Sequence, residues 1–351
     1  MSTFKGKKLK ITVYGESHSD VIGVKVEGMP RFFFDGDKLD RFLERRRAKN
    51  AVYSTARKET DKPVFYGVEG GIVDGEFSAE IANNNVIGGD YENLKGKPRP
   101  SHADYAWYKK DGVFDFSGGG RFSGRMTAPL CVAGGVLKQY LESRGVFIDA
   151  YISGIGGAKG RSYLDKGFSP DEVLSLSGKN FPCIDGEEGF IKEIENAKKD
   201  GDSVGGVIEC VITGMPAGVG DSLFDGLEGK ISQAVFAVPA VKGVEFGGGF
   251  LNARSLGSKM NDALRYENGE VVFTSNLSGG INGGISNGNY ISLRVAIKPT
   301  PSIAKKQETV DLIKKENCTI KIGGRHDACI VPRAVPAIEA AVAIAIADEL
   351  I

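Results

Sequence analysis

The chain contains little histidine, no excess of charge of either sign and no long uninterrupted apolar run. It has three histidines among 351 residues, and its 45 basic and 45 acidic residues leave a formal net charge of zero. This balance argues against a general binder of nucleic acid or of membrane surfaces, because both classes of protein need a broad positive field. Any site for an anion must therefore be local.

Cysteine spacing and the N-terminal composition narrow the class of protein further. The five cysteines form no C-x-x-C pair, so we expect neither disulfides nor a zinc site. Residues 1–10 are rich in lysine and no apolar stretch follows them, which argues against a secretory signal. The most apolar segment, 328–351, is interrupted by Arg333, Glu339 and Asp348, whereas a membrane span needs about 20 uncharged residues. These features predict a cytoplasmic protein with a buried C-terminal helix.

Hydrophobic periodicity predicts short strands and longer helices along the whole chain. Strands are expected at 9–14, 22–27, 64–68, 146–152, 207–213 and 290–297. Helices are expected at 37–47, 123–144, 187–199, 223–236 and 336–351. No linker rich in proline or serine divides the chain, which favours one α+β domain over residues 1–351.

Each histidine lies in a short cluster of polar residues. The clusters are Glu16-Ser17-His18, Arg99-Pro100-Ser101-His102-Ala103-Asp104 and Gly323-Gly324-Arg325-His326-Asp327. Imidazole titrates closer to neutral pH than the other side chains, so its position beside acids and arginines indicates proton transfer at an anion site. The alternative is that each histidine only stabilises a turn through local hydrogen bonds. Three such clusters in one chain favour the first interpretation.

Two loops of glycine and arginine precede apolar helical segments. Gly119-Gly120-Arg121 precedes the helix expected from Ser123, and Gly323-Gly324-Arg325 precedes the C-terminal apolar segment. Helix N-termini attract anions, and a guanidinium adds bidentate hydrogen bonds, so two phosphate-like groups could bind here. If the first helix began early, Arg121 and Arg125 would share one of its faces. The alternative is that Arg121 and Arg325 only cap or salt-bridge neighbouring elements.

Several of these strings together resemble the chorismate synthase family, and the resemblance extends over nearly the whole chain. The similar strings, in order, are Gly15-Glu16-Ser17-His18, Ile22-Gly23-Val24 and Gly28-Met29-Pro30, then Arg99-Pro100-Ser101-His102-Ala103-Asp104-Tyr105, Gly118-Gly119-Gly120-Arg121-Phe122-Ser123-Gly124-Arg125, Lys298-Pro299-Thr300-Pro301-Ser302-Ile303 and Gly324-Arg325-His326-Asp327. The resemblance implies a fold in which helices are sandwiched between antiparallel β-sheets, with an internal pseudo-repeat.

The implied activity is that of a lyase in the shikimate pathway of aromatic amino acid biosynthesis. It would convert 5-enolpyruvylshikimate-3-phosphate to chorismate and phosphate by a 1,4-anti elimination that depends on reduced FMN. The resemblance also implies a homotetramer acting on a small-molecule substrate, without a nucleic-acid or membrane partner. Family members differ in how the flavin is reduced. The source of the electrons therefore stays open: NADPH could reduce the flavin on the enzyme itself, or an external flavin reductase could supply it in reduced form.

The resemblance further implies a role for individual residues. His18 would protonate the departing phosphate, His102 would set the protonation of the flavin, and Asp327 would relay the proton from flavin N5. The residues expected to bind the substrate anions are Ser17, Arg46, Arg99, Arg125 and Arg325. The residues expected to contact FMN are Arg121, Phe122, Ser123, Pro239, Ala240, Gly283, Lys298, Pro299, Thr300, Pro301, Ser302 and Arg325.

Some positions depart from the family pattern and leave alternatives open. Val52 stands where the family has a further arginine, and Met126 stands where a glutamate would close a capping box at the helix start. These differences would suit a divergent homologue that binds flavin or phosphate ligands without efficient turnover. A non-enzymatic anion- or nucleotide-binding module is the other alternative, but it has no use for three histidines in such clusters.

Overall fold

A computed structural model describes residues 1–47, 61–83, 94–113, 116, 119–323 and 327–351. Two five-stranded antiparallel sheets form its outer layers. The first sheet has the order β1-β2-β3-β5-β4, and its strands are β1 (Ser2–Lys5), β2 (Lys10–Tyr14), β3 (Val21–Phe33), β4 (Pro63–Glu69) and β5 (Ile72–Ala82). The second sheet has the order β7-β6-β8-β14-β9, and its strands are β6 (Phe147–Ile155), β7 (Ala158–Lys159), β8 (Gly206–Thr213), β9 (Val241–Phe246) and β14 (Ile291–Ile297).

Helices and short hairpins complete the described chain. The helices are α1 (Gly36–Glu44), α2 (Asp104–Asp111), α3 (Thr127–Glu142), α4 (Pro170–Leu174), α5 (Glu187–Lys199), α6 (Leu227–Val235), α7 (Gly257–Met260) and α8 (Val331–Leu350). The hairpins pair β10 (Leu264–Glu267) with β11 (Glu270–Phe273), β12 (Ile281–Asn282) with β13 (Ile285–Ser286), and β15 (Lys306–Asp311) with β16 (Glu316–Lys321).

The two long apolar helices lie between the sheets. Helix α3 packs against β3 and β5, helix α8 packs against β6 and β8, and the two helices pack against each other. Their buried apolar side chains join those of both sheets in one continuous core. Each half of the chain thus supplies one sheet and one central helix. This arrangement confirms the predicted α+β fold, with helices sandwiched between antiparallel sheets and an internal pseudo-repeat.

Helices α3 and α8 start beside each other and remain in close contact. A Cβ atom added to Gly134 would overlap both the side chain and the backbone of Ala340. Small residues at this point allow the two backbones to approach closely. Arg46 contacts both helix starts, because its Nε donates to Thr127 Oγ1 at 3.0 Å and its carbonyl accepts from Arg333 Nε at 2.9 Å. Both helix N-termini therefore lie at one place in the fold.

The predicted strands are confirmed, and the helix at Glu187–Lys199 has the predicted bounds. Three predicted helix starts are wrong. The helix expected from Ser123 begins at Thr127, because the Ser123 side chain caps a separate 3-10 turn at Gly124–Met126. Residues Leu223–Asp225 likewise form a 3-10 turn before α6. The C-terminal helix begins at Val331 instead of Pro336. Pro332 lies in its first turn, where a proline loses no helical hydrogen bond, and Pro336 lies inside the helix.

The C-terminal helix is buried, as the sequence predicts. Its charged residues have partners in the protein: Glu339 binds Arg45 through two hydrogen bonds of 2.7 and 2.8 Å, and Asp348 accepts from the backbone N–H groups of 7–9. Among the described residues, no helix is both long and apolar enough to cross a membrane. All five cysteines are free thiols, and three of them are buried.

Candidate active site

His18 lies half-buried in the loop between β2 and β3. The loop is folded on itself, since the Ser19 hydroxyl accepts from the Glu16 N–H at 2.9 Å. It is also tied to the second half of the site, because the Ser17 N–H donates to the Gly120 carbonyl at 3.2 Å. The His18 loop therefore lies against the glycine-arginine loop that precedes α3.

Asn83 connects the His18 loop to Arg125. Its Nδ2 donates to the carbonyl oxygens of Ser17 at 2.8 Å and Ser19 at 3.0 Å, and its Oδ1 accepts from Arg125 Nε at 3.2 Å. Asn83 follows β5 directly, and the β3–β5 pairing brings it beside the loop that ends at Val21. The first sheet thus fixes where the loop and the arginine meet.

Two of the predicted substrate arginines share one buried carboxylate. Arg46 Nη1 donates to one oxygen of Asp61 at 2.6 Å, and Arg125 Nη1 donates to the other. Asp61 has a left-handed backbone with φ of 43°, which is costly for a residue with a Cβ. Burial raises the pKa of the Asp61 carboxyl, but the charges of Arg46 and Arg125 outweigh burial and the pKa is lowered. Asp61 is therefore ionised and holds the two guanidinium groups side by side.

Asp327 joins this cluster through Arg333. Arg333 Nη1 donates to the Asp327 carboxylate at 2.8 Å, while its Nε donates to the Arg46 carbonyl. Arg333 lies in the first turn of α8, where the free N–H groups of the helix make the potential positive. The predicted proton relay Asp327 and two of the predicted substrate arginines, Arg46 and Arg125, are thus brought together at the starts of α3 and α8.

His102 is bound to a fully buried carboxylate. Its Nδ1 is hydrogen-bonded to Asp104, and Arg99 grips the same carboxylate through Nε at 2.8 Å and Nη2 at 2.9 Å. Burial raises the pKa of the Asp104 carboxyl, but the hydrogen bonds from His102 and Arg99 outweigh it and lower the pKa to about 2. An ionised Asp104 makes His102 Nδ1 the donor and leaves Nε2 facing Gly119.

The low pKa of Asp104 predicts how the stability of the protein depends on pH. A carboxyl with a depressed pKa contributes stability above its unfolded pKa, which is lost as the pH falls toward the folded pKa. We expect Asp104→Asn to lower the free energy of unfolding at pH 7 by at least about 2 kcal/mol, and to flatten its fall below about pH 4. Urea unfolding at a series of pH values measures both effects.

Asp111→Asn is the matched control for Asp104→Asn, because Asp111 pairs with Arg121 near the surface, where such pairs contribute little. It should change the free energy of unfolding by less than about 1 kcal/mol. An acid dependence in Asp104→Asn equal to that of the wild type would show that Asp104 is not the stabilising carboxylate.

The segment 298–302 meets the His102 loop and Ala240. The Lys298 N–H donates to the Ala240 carbonyl at 2.9 Å, and its Nζ donates to the Ser101 carbonyl. Burial, together with the charge of Lys242, lowers the pKa of Lys298. Ser101 and Ala240 both have left-handed backbones, with φ of 58° and 74°. Strain of this kind concentrates at ligand sites, where the surrounding structure must hold it.

Arg121, Phe122 and Ser123 line the other side of the Gly119–Gly120 turn. The Arg121 guanidinium lies over the rings of Trp107 and Phe122, at 5.7 and 5.2 Å from their centroids, and it pairs with Asp111. The expectation that Arg121 and Arg125 could share a helix face is wrong. They lie in two successive 3-10 turns, so Arg121 is exposed while Arg125 points to buried Asp61.

The structure thus brings most of the predicted site residues together, in two adjoining groups. The first contains Ser17, His18, Arg46, Arg125 and Asp327; the second contains Arg99, His102, Arg121, Phe122, Ser123, Pro239, Ala240 and the segment 298–302. Gly283 lies in the β12–β13 hairpin, and no backbone hydrogen bond among the described residues joins it to either group. Arg325, His326 and Val52 lie outside the described residues.

Sequence reasoning did not select Asp61, Asn83, Asp104 or Arg333 as site residues. Asp104 had a local signal, because it follows His102 by two positions in a polar string. Arg333 was noted only as a charge that interrupts the apolar segment. Asp61 and Asn83 carry no motif. Their partners Arg46, Arg125 and Ser17 are brought to them by the fold, so no short pattern could have identified them.

Comparison with known proteins assigns the chain to a family. The sequence model described as chorismate synthase matches residues 9–351. A chorismate synthase of Korarchaeum cryptofilum is 42% identical over 98% of this chain and 96% of its own length, and one of Thermococcus kodakarensis is 42% identical over 99% and 97%. A solved structure titled as a crystal structure of chorismate synthase has a TM-score of 0.75 at 27% identity, covering 99% of this chain and 92% of that one. The chain therefore belongs to the chorismate synthase family of enzymes.

Proposed function

We propose that this enzyme converts 5-enolpyruvylshikimate-3-phosphate to chorismate and phosphate by a 1,4-anti elimination that depends on reduced FMN. Family membership supports the coarser function, a lyase of the shikimate pathway. One observation carries the finer proposal: the loop that bears His18, the Asp327 carboxylate and the guanidinium groups of Arg46 and Arg125 lie where α3 and α8 begin. Such a site offers both proton donors and anion ligands.

The charges of this site suit a substrate with a phosphate and carboxylates. The guanidinium groups of Arg46 and Arg125 lie beside the Asp61 carboxylate, and that of Arg333 lies beside Asp327, so three cations are placed close together. The N-termini of two helices add further positive potential. Buried guanidinium groups held side by side can bind oxygen atoms of an anion in a fixed geometry. We propose that Ser17, Arg46, Arg99, Arg125 and Arg325 bind the substrate.

The residues proposed to hold FMN fit an anionic cofactor. Lys298 supplies a cation, and it bonds to the two strained residues Ser101 and Ala240. Thr300 Oγ1 is buried without a hydrogen-bond partner among the described residues, so it can accept one from a ligand or donate one to it after a small rotation. When bound, reduced FMN would supply transient electron density and a base for the C–H proton, with no net redox change.

The remaining steps fall to side chains of the protein. His18 is proposed to hold a proton for the oxygen of the departing phosphate, and Arg125 to neutralise charge beside it. His102, with Nδ1 held by Asp104, is proposed to act on the cofactor through Nε2. Asp327 is proposed to accept and pass on a proton at its carboxylate, with Arg333 fixing its orientation.

Neither alternative function is favoured. A homologue without turnover would not need all three proton-transfer candidates, yet His18, His102 and Asp327 are present. We propose further that residues 1–351 form a single domain, that the protein is a cytoplasmic homotetramer, and that NADPH or an external flavin reductase supplies the reduced flavin. These proposals rest on the family resemblance.

The test of this function is the stoichiometry of the cofactor. We expect chorismate to form only when reduced FMN is present, and one flavin to serve many turnovers, because an elimination returns the electron density that it borrows. The measurement is anaerobic incubation with substrate and photoreduced FMN, followed by assay of chorismate and phosphate. Consumption of one reduced flavin per chorismate would contradict the proposal, and so would turnover without flavin.

A further inference from the structure

We propose that Asn83 is a positioning residue for His18, and that it fixes the separation between the His18 loop and Arg125. The inference rests on the proposed function, in which His18 protonates the departing phosphate and Arg125 binds a substrate anion. Asn83 lies one residue beyond the end of β5, outside all the strings that resemble the family.

The two ends of the Asn83 carboxamide bond different parts of the site. The NH2 group donates to the carbonyl oxygens of Ser17 and Ser19, and the oxygen accepts from Arg125 Nε. A flipped amide would place its oxygen against two carbonyl oxygens and its NH2 group against a guanidinium. The orientation is therefore determined by the neighbours.

Only a carboxamide of this length satisfies both neighbours. A carboxylate has no proton to give to the two carbonyl oxygens, and a hydroxyl has only one. The Asn83 backbone is itself fixed, because its N–H donates to the Asp20 carbonyl at 2.9 Å, next to the Val21–Ala82 pair of the sheet. The Asn83 amide thus fixes the position of the His18 loop relative to the first sheet.

The bonded carbonyl groups lie on both sides of His18. They belong to Ser17 and Ser19, so Asn83 fixes the backbone before and after the imidazole-bearing residue. A general acid must lie within hydrogen-bond reach of the atom that it protonates, and a misplacement of about 1 Å can cost on the order of 100-fold in rate. Loss of Asn83 should therefore act on turnover through His18.

Two substitutions test the contacts of the Asn83 amide. Asn83→Ala removes both contacts, and we expect it to lower kcat by about 10- to 100-fold and to raise KM several-fold as Arg125 loses a partner. Asn83→Asp keeps an acceptor for Arg125 but offers no donor to the loop, so it should lower kcat at least as far. Its added negative charge beside Arg125 should also weaken the binding of an anionic substrate and raise KM. Asn317→Ala, on the exposed strand β16, is the matched control and should change neither.

A double-substitution test distinguishes positioning from a general structural effect. In a His18→Ala background, adding Asn83→Ala should lower turnover by less than about threefold, because no imidazole is left to position. The thermal midpoint should change little in either Asn83 variant. A full multiplicative loss in the double variant would overturn the inference, as would wild-type kcat in both Asn83 variants. Full activity of His18→Ala alone would instead refute the proposed function.

Discussion

His18→Ala is expected to lower turnover by about 100- to 10,000-fold, the range for loss of a general acid. The reduced-flavin spectrum of the ternary complex should stay near normal. The physical reason is that the loop backbone is held independently of the imidazole, by Asn83 and by the Gly120 carbonyl. Truncation therefore removes the proton donor without moving its surroundings. Single-turnover kinetics under anaerobic conditions, with spectra recorded during the reaction, measure both properties.

His102→Ala is the counterpart that shows whether the two roles are separate. It should change the reduced-flavin spectrum or the dependence of that spectrum on pH, because His102 is the imidazole placed beside Gly119 and the Lys298 segment. Asp104 holds Nδ1 in the wild type, so truncation also leaves a buried carboxylate with Arg99 as its remaining partner. If both histidine variants disturb the flavin equally, or if His18→Ala retains full turnover, the assignment of roles is wrong.

The sandwich fold could be anticipated because its signals are local or carried by ordered strings. Alternating apolar residues marked β2 and β14, and a largely apolar segment interrupted by charged residues marked α8. The starts of the helices were harder to predict from the sequence. The start of α3 depends on Ser123 capping a short turn, and the start of α8 depends on Pro332 in the first turn and on a helix that continues through Pro336. Such choices are decided by a few hydrogen bonds, which periodicity does not report.

The same distinction between local and long-range signals applies to the residues of the candidate site. Residues that carry the chemistry, such as His18 and His102, lie in short strings and could be selected from the sequence. Residues that place them lie far away in sequence: Asn83 is 66 positions from Ser17, and Asp61 is 64 from Arg125. These residues come into contact only when the sheet and the helices have assembled. Local sequence patterns therefore cannot predict the contacts.

Arg125→Ala is expected to raise the KM for substrate by about 10- to 100-fold or more, as for the loss of a charged hydrogen bond worth about 1.5–3 kcal/mol. Arg46→Ala should raise KM by a similar factor, but it should also destabilise the fold more strongly. Arg46 is only 2% exposed and bonds to Asp61, Thr127 and the Arg125 carbonyl, so its removal leaves buried polar groups without a partner. Steady-state kinetics and urea unfolding of the same preparations separate binding from stability.

Arg125→Lys tests whether charge alone is enough. A lysine keeps the positive charge but cannot bridge Asp61 and Asn83 with a planar guanidinium, so KM should stay well above the wild-type value. Arg31→Ala is the matched control, because Arg31 is an exposed arginine of β3 that pairs only with exposed Asp74 among the described contacts. It should leave KM unchanged. If Arg125→Ala and Arg46→Ala both keep wild-type KM, the two guanidinium groups serve the fold alone, and the substrate anions must bind elsewhere.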